Sequence, residues 1–150
     1  MAPRYWDDLI ENEPLNCRTI ELSLAEIVEF ALKYDPQPFH IDEQAAADSR
    51  FGGIIASSLQ TLSSCTRVLV DTQEGLAILS GLCIEEVQLP NPVRPNDVLT
   101  VEACWTDLKR SRSKPDRGMA TTRFRAVNQN GETVIASGFR YMIACRDRTE

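Results

Sequence analysis

The sequence feature that most constrains the fold is a long segment, residues 54–70, in which Arg67 is the only charged side chain. Apolar residues occupy nearly every face of a helix built over this segment, so it predicts a helix that is buried on most sides. Segments typical of β-strands follow it, at 83–89, 98–106, 119–127 and 133–145. A buried helix followed by antiparallel strands predicts an α+β fold, in which the sheet curls around the long central helix.

The predicted strands carry clear local signals. Apolar and polar residues alternate across 98–106, which predicts one buried face made of Leu99, Val101, Ala103 and Trp105. Residues 128–131 connect the last two strands and contain an Asn-Gly pair, which is typical of a β-hairpin turn. The proline-rich segment 90–97 predicts a loop, because proline cannot donate to the hydrogen-bond ladder of a sheet.

The N-terminal half predicts a first helix with defined ends. Ser23 followed by Glu26 matches the capping box of a helix N-terminus, and apolar residues at helical spacing come after it. The helix is expected to end near Tyr34, because Pro36 disfavours helical geometry at Asp35.

A rigid bend follows this helix. Residues 35–39 contain two prolines, Pro36 and Pro38, and predict a stiff, extended loop. Asp35 and His40 stand at opposite ends of this loop, so both side chains are held in fixed directions and could act on one water molecule. A carboxylate and an imidazole sharing a water can move protons in both directions, as general acid–base catalysis requires.

Composition excludes several other classes of protein. A net charge of −6 argues against a nucleic acid or an anionic membrane as partner. The five cysteines are scattered without a CxxC pair, which predicts reduced thiols, and the single histidine leaves few ligands for a metal site. Residues 1–8 lack the apolar core of a signal peptide and no 18-residue apolar run exists, so we expect one cytoplasmic domain over 1–150.

The residues around the bend resemble a family signature. The stretch Tyr34-Asp35-Pro36-Gln37-Pro38-Phe39-His40 resembles the Gly-Asp-x-Asn-Pro-x-His pattern of MaoC-like dehydratases, the family that includes the R-specific enoyl-CoA hydratases. The Asp-to-His spacing is kept, and residues 49–56, 92–97 and 111–118 are also similar to family segments. Departures occur at Tyr34, where the family has Gly, at Gln37, where it has Asn, and at Ser57-Ser58, where it often has His-Gly.

The resemblance implies a hotdog fold and an enoyl-thioester hydratase or dehydratase of fatty acid metabolism. Asp35 and His40 would be the acid–base pair, and the backbone N–H of Ser58 would bind the enolate oxygen of the thioester. Around them, the expected substrate-site residues are Gly53, which leads into the central helix, Gln37, and Thr66, whose hydroxyl would orient Asp35.

The resemblance also implies a substrate carried on coenzyme A, no cofactor, and a homodimer that pairs two sheets edge to edge. Arg110, Arg112 and Lys114 form a basic loop on an acidic protein, which makes them candidates for contacting the phosphates of coenzyme A.

Two alternatives remain open at the level of sequence. A hotdog thioesterase would use a carboxylate to activate water against the thioester carbonyl, but such enzymes usually carry that acid on the central helix, and 54–70 contains neither Asp nor Glu. A non-catalytic protein that binds acyl thioesters is the second alternative, favoured by the departures at Gln37 and Ser57-Ser58.

Overall fold

The helices precede most of the sheet along the chain. The structure, a computed structural model, describes residues 2–146, so the predicted domain over 1–150 extends past the described residues at both ends. After a short 3₁₀ turn at Trp6–Asp8, the elements in chain order are β1 (Thr19–Glu21), α1 (Leu24–Tyr34), α2 (Pro38–Ile41), α3 (Glu43–Asp48), α4 (Ser58–Thr72), β2 (Ile78–Ile84), β3 (Val98–Arg110), β4 (Arg117–Val127) and β5 (Thr133–Ala144).

The strands form one antiparallel sheet in the order β1-β3-β4-β5-β2. The predicted alternation in β3 is confirmed, because Leu99, Val101, Ala103 and Trp105 are all buried. The predicted hairpin between β4 and β5 is confirmed as well. Gly131 in its turn has φ 78°, a backbone conformation that glycine adopts without steric cost.

Helix α4 packs on this sheet and forms the core with it. Cys65, Val68 and Leu69 of α4 are fully buried in the same cluster as Leu99 and Ile135 of the sheet. This is the predicted α+β hotdog architecture, an antiparallel sheet wrapped around a central helix.

Helix α1 has the predicted N-terminus. The Ser23 hydroxyl accepts the N–H of Glu26 at 3.2 Å, and the Glu26 carboxylate accepts the N–H of Ser23 at 2.8 Å. The helix ends at Tyr34, and Asp35 is its C-terminal capping residue.

Two predictions about the other helices are wrong in detail. The extended loop over 35–39 is shorter than expected because Pro38, with its fixed φ, begins the short helix α2. The central helix begins at Ser58 and not at 54, because Ser57 supplies its N-terminal cap. This helix is also not buried on most sides: Leu59 and Val70 are 52% and 53% exposed.

The predicted position of the first strand after α4 is also wrong. The pattern predicted a strand over 83–89, whereas β2 spans Ile78–Ile84. Every residue of β2 is exposed in the single chain, so it lacks the alternation of buried and exposed residues on which the prediction depends. Residues 85–88 still run beside β5. The N–H of Glu85 donates to the carbonyl of Gly138 at 2.8 Å, and Gln88 forms a bridge with Ala136.

Candidate active site

The bend after α1 brings Asp35 and His40 together. Asp35 caps α1, and His40 lies in α2, which Pro38 begins. The Oδ2 atom of Asp35 lies 3.4 Å from the Nε2 atom of His40. The two side chains therefore face each other, which a shared water requires.

The orientation of His40 is fixed by a backbone carbonyl. Its Nδ1 atom lies 2.7 Å from the carbonyl oxygen of Ile55, and its side chain is only 5% exposed. Because a carbonyl can only accept, Nδ1 carries a proton, and Nε2 is the atom left for chemistry on the side of Asp35.

The Asp35 carboxylate is held by two neutral donors. The amide of Gln37 donates to Oδ1 at 2.8 Å, and the hydroxyl of Ser57 donates to Oδ2 at 2.7 Å. The Gln37 bond first, and then the Ser57 bond and the nearby His40, lower the pKa of the Asp35 carboxyl, against an opposing effect of burial. Asp35 is therefore held as a carboxylate, the form in which it can accept a proton.

Ser57 was not predicted to contact Asp35, whereas Thr66 was. The Thr66 hydroxyl instead donates to the carbonyl of Leu62 at 2.8 Å, the bond that a threonine inside a helix commonly makes one turn back. Ser57 is fully buried and also caps α4, accepting the N–H of Leu59 at 3.2 Å. A serine directly before an apolar helical segment is the signal that could have identified it.

The predicted oxyanion donor, Ser58, and the predicted substrate-site residue Gly53 lie in different places in the structure. Ser58 is the first residue of α4 and lines the same cavity as Asp35, so its N–H lies at a helix start where no intrahelical acceptor exists. Gly53 lies five residues earlier, in a loop, and is not among the residues that line this cavity. Its expected position at the helix start is wrong because α4 begins later than the pattern predicted.

A cavity of about 580 Å³ connects these groups. Asp35, Gln37, His40 and Ser58 lie along it, together with aromatic and aliphatic side chains and the loop before β3. These further lining residues include Phe39, Phe51, Ile55, Val93 and Val134, and two arginines, Arg50 and Arg94. The cavity thus combines an apolar wall with a few polar groups, as small-molecule sites commonly do.

The predicted phosphate-binding loop does not lie at this cavity. Arg110, Arg112 and Lys114 belong to the β3–β4 hairpin, and the strand register places that hairpin at the end of the sheet opposite Val134. Arg110 is bonded to Asp7 and stacks over Trp6 at 5.2 Å. None of the three lines the cavity. The sequence indicates that these basic residues lie in a loop, but it does not show at which end of the sheet that loop lies.

Within residues 2–146, no group of three or more His, Cys, Asp or Glu side chains is arranged to hold a metal ion. In the same part of the chain, no helix is long and apolar enough to cross a bilayer.

Comparison with known proteins identifies relatives over most of the chain. The family model described as a MaoC-like domain matches residues 7–128. The uncharacterized protein YdeM of Bacillus subtilis (strain 168) is 29% identical over 138 residues, which is 91% of this chain and 96% of that protein.

Solved structures agree in fold. The MaoC-like dehydratase from Rhodospirillum rubrum superposes with a TM-score of 0.87 and 36% identity, over 95% of this chain and 98% of that one. An (R)-hydratase from A. caviae involved in PHA biosynthesis has a TM-score of 0.73 and 24% identity, over 89% of this chain and 96% of that one. This second likeness is one of fold alone.

Proposed function

The chain belongs to the MaoC-like domain family, and from this premise we propose that it is an acyl-thioester hydratase or dehydratase. It would add water across the C2–C3 double bond of an enoyl thioester carried on coenzyme A, or remove it. The observation that carries the proposal is the 3.4 Å approach of the Asp35 carboxylate to the His40 imidazole in one cavity.

The proton steps follow from how the two side chains are held. Asp35, kept charged by Gln37 and Ser57, accepts a proton from the water as its oxygen attacks C3. His40 in its protonated form gives the Nε2 proton to C2, while Nδ1–H stays bonded to Ile55. Transfer of the proton from Asp35 to His40 across their contact then restores both groups, so one water is consumed and no proton is left over.

The negative charge that develops on the thioester oxygen must be stabilised by a hydrogen-bond donor. The N–H of Ser58 at the start of α4 fits this role, because a helix N-terminus carries partial positive charge. A serine in place of glycine keeps this N–H. In this scheme water and the protein's own groups suffice, and the reaction needs no cofactor.

Incubating the purified protein with crotonyl-CoA and following the loss of enoyl absorbance tests the proposal. We expect turnover by the native protein and at least a hundredfold loss in Asp35→Asn and in His40→Ala, since each removes one of the two proton-transfer groups. Thr66→Val is the control, because the Thr66 hydroxyl bonds within its own helix. No turnover by the native protein with thioesters of several chain lengths would instead support a non-catalytic binding role.

Measuring free thiol with a thiol reagent in the same incubation tests a thioesterase. The structure gives α4 one carboxylate, Asp71, but it lies in the last turn and pairs with Arg67 at 2.9 Å and Arg18 at 3.3 Å. Asp71 does not line the cavity. We therefore expect no thiol release above the uncatalysed rate.

A further inference from the structure

Two arginines at the cavity have no role in the proton steps. Arg50 and Arg94 both line the space that holds Asp35 and His40, and both are exposed. Within residues 2–146, neither has a carboxylate within 4.0 Å of its guanidinium, whereas Arg18, Arg110 and others do. Their positive charge is thus not balanced by the described part of the chain.

The arginines of a second cavity provide a contrast. This space of about 920 Å³ is lined by Arg123 and Arg125, among others. Arg123 pairs with Glu85 at 2.7 Å, and Arg125 pairs with Glu102 at 2.6 Å. The protein therefore neutralises the arginines of one cavity with its own carboxylates and leaves those of the other available to a ligand.

Both unpaired guanidinium groups lie beside Phe51. Arg94 donates from Nη2 to the carbonyl oxygen of Phe51 at 2.6 Å, and its backbone N–H is bonded to Asp97 at 2.8 Å. The guanidinium of Arg50 lies 5.7 Å from the centre of the Phe51 ring. One bond to a carbonyl orients Arg94 and leaves its other N–H groups for an anion.

A row of rings joins this positive end of the cavity to the proton-transfer groups. The Phe51 ring lies 5.2 Å from the Phe39 ring, which lies 4.5 Å from the His40 ring. A ligand lying along these rings would contact Asp35 and His40 at one end and the two arginines at the other.

We propose that Arg50 and Arg94 bind an anionic group of the substrate and thereby position the enoyl carbons at Asp35 and His40. This inference rests on the proposed function. The group is a phosphate of the carrier or a carboxylate at the far end of the acyl chain, because a guanidinium binds both through paired N–H donors.

The test measures binding by titration calorimetry in the Asp35→Asn background, so that ligands are not consumed. Three probes separate the sources: crotonyl-CoA, glutaconyl-CoA, which adds a terminal carboxylate, and crotonyl-pantetheine, which has neither phosphate nor carboxylate. We expect Arg50→Gln with Arg94→Gln to raise Kd at least tenfold for the probes that carry the recognised anion. A rise for both coenzyme A thioesters identifies phosphate, and a rise for glutaconyl-CoA alone identifies the carboxylate.

Two comparisons keep the result interpretable. Arg125→Gln in the same background removes an exposed charge from the other cavity and should leave all three Kd values unchanged. Arg50→Gln alone should raise Kd at least threefold. Arg50 makes no hydrogen bond to another residue in 2–146, so this change keeps the bond from Arg94 to the carbonyl of Phe51. Equal Kd values for the double variant and Arg125→Gln would overturn the inference while leaving the hydratase intact. Failure of every thioester to bind would overturn the proposed function itself.

Discussion

At the scale of single residues, the candidate site depends on the hydrogen bonds made by two polar side chains, the half-buried Asp35 and the buried His40. Asp35 receives one amide and one hydroxyl donor, and His40 gives its Nδ1 proton to the Ile55 carbonyl. These bonds leave the Asp35 oxygens and the His40 Nε2 facing each other, and these are the atoms to which the proposed mechanism gives the roles of base and acid.

The Gln37 amide is the largest influence that lowers the pKa of Asp35, so its removal has a predictable sign. In Gln37→Ala the carboxylate loses a donor that favours its charged form, and the pKa of Asp35 rises. Since the charged form is the base, the acidic limb of the kcat/KM profile should move to higher pH. The measurement is that profile for crotonyl-CoA hydration.

Gln44→Ala is the matched control for this prediction. Gln44 is exposed and donates to the Asp48 carboxylate at 3.1 Å, outside the cavity, so its loss should leave the profile unchanged. Gln37→Asn, which places the family's usual residue there, should shift the limb less than Gln37→Ala does. An unshifted limb in Gln37→Ala would contradict the role of Asp35 as the base.

The sequence predicted the pair of candidate residues better than their surroundings. Asp35 and His40 are close in the chain and joined by prolines, so local rigidity sufficed to bring them together. The partners Ile55 and Ser57 come from a separate segment, 15 residues after His40 and 22 residues after Asp35, so local sequence does not show that they meet the bend. The prediction that Thr66 orients Asp35 is wrong, and Ser57 is not predicted for this role, because the apolar pattern does not show where α4 begins.

At the scale of elements, the start of α4 couples helix stability to the site. The Ser57 hydroxyl accepts the N–H of Leu59 and donates to Asp35, so one side chain caps the helix and holds the carboxylate. The preceding residues are also fixed from outside, since Ala56 donates its N–H to the carbonyl of Val93 at 2.8 Å. The oxyanion donor proposed at Ser58 is thus positioned by the same contacts that begin the helix.

Ser57→Ala should therefore affect stability and activity together. Loss of the cap should lower the free energy of unfolding by about 1–2 kcal/mol in urea titration. Loss of the donor to Asp35 should also raise the pH of the acidic limb of kcat/KM. Ser23→Ala is the matched control, because it removes the cap of α1 at a cost of about 1 kcal/mol and has no contact with the site. A Ser57→Ala enzyme that is destabilised but keeps the native pH profile would show that Ser57 only caps the helix.

The elements that the sequence predicted well are those with a buried face in the single chain. Strand β3 alternates cleanly because one side meets α4 and the other meets solvent, and α1 has both a capping box and an apolar face. Strand β2 has neither a buried face nor an undisturbed register, since its pairing with β5 shifts twice. Its position could not be predicted from periodicity, because none of its residues is buried in the single chain.

At the scale of the whole molecule, β2 is the edge of the sheet and carries apolar side chains. Ile78, Leu79, Leu82 and Ile84 are between 38% and 55% exposed, and Val70 near the end of α4 is 53% exposed. An edge strand with exposed backbone and apolar side chains is a surface for pairing with another strand. We therefore propose that two copies pair through β2 in an isologous homodimer.

Leu82→Arg tests this assembly. Leu82 lies in the middle of β2 and is 43% exposed, so a single chain accommodates an arginine there. In a paired interface the two arginines would face each other across the twofold axis and repel. By sedimentation velocity at micromolar concentration we expect a dimer for the native protein and a monomer for Leu82→Arg. Leu32→Arg is the matched control, because Leu32 is 61% exposed on α1, away from β2, and its replacement should leave the dimer intact. If Leu82→Arg sediments as the native protein does, or if the native protein is itself a monomer, β2 is not the interface.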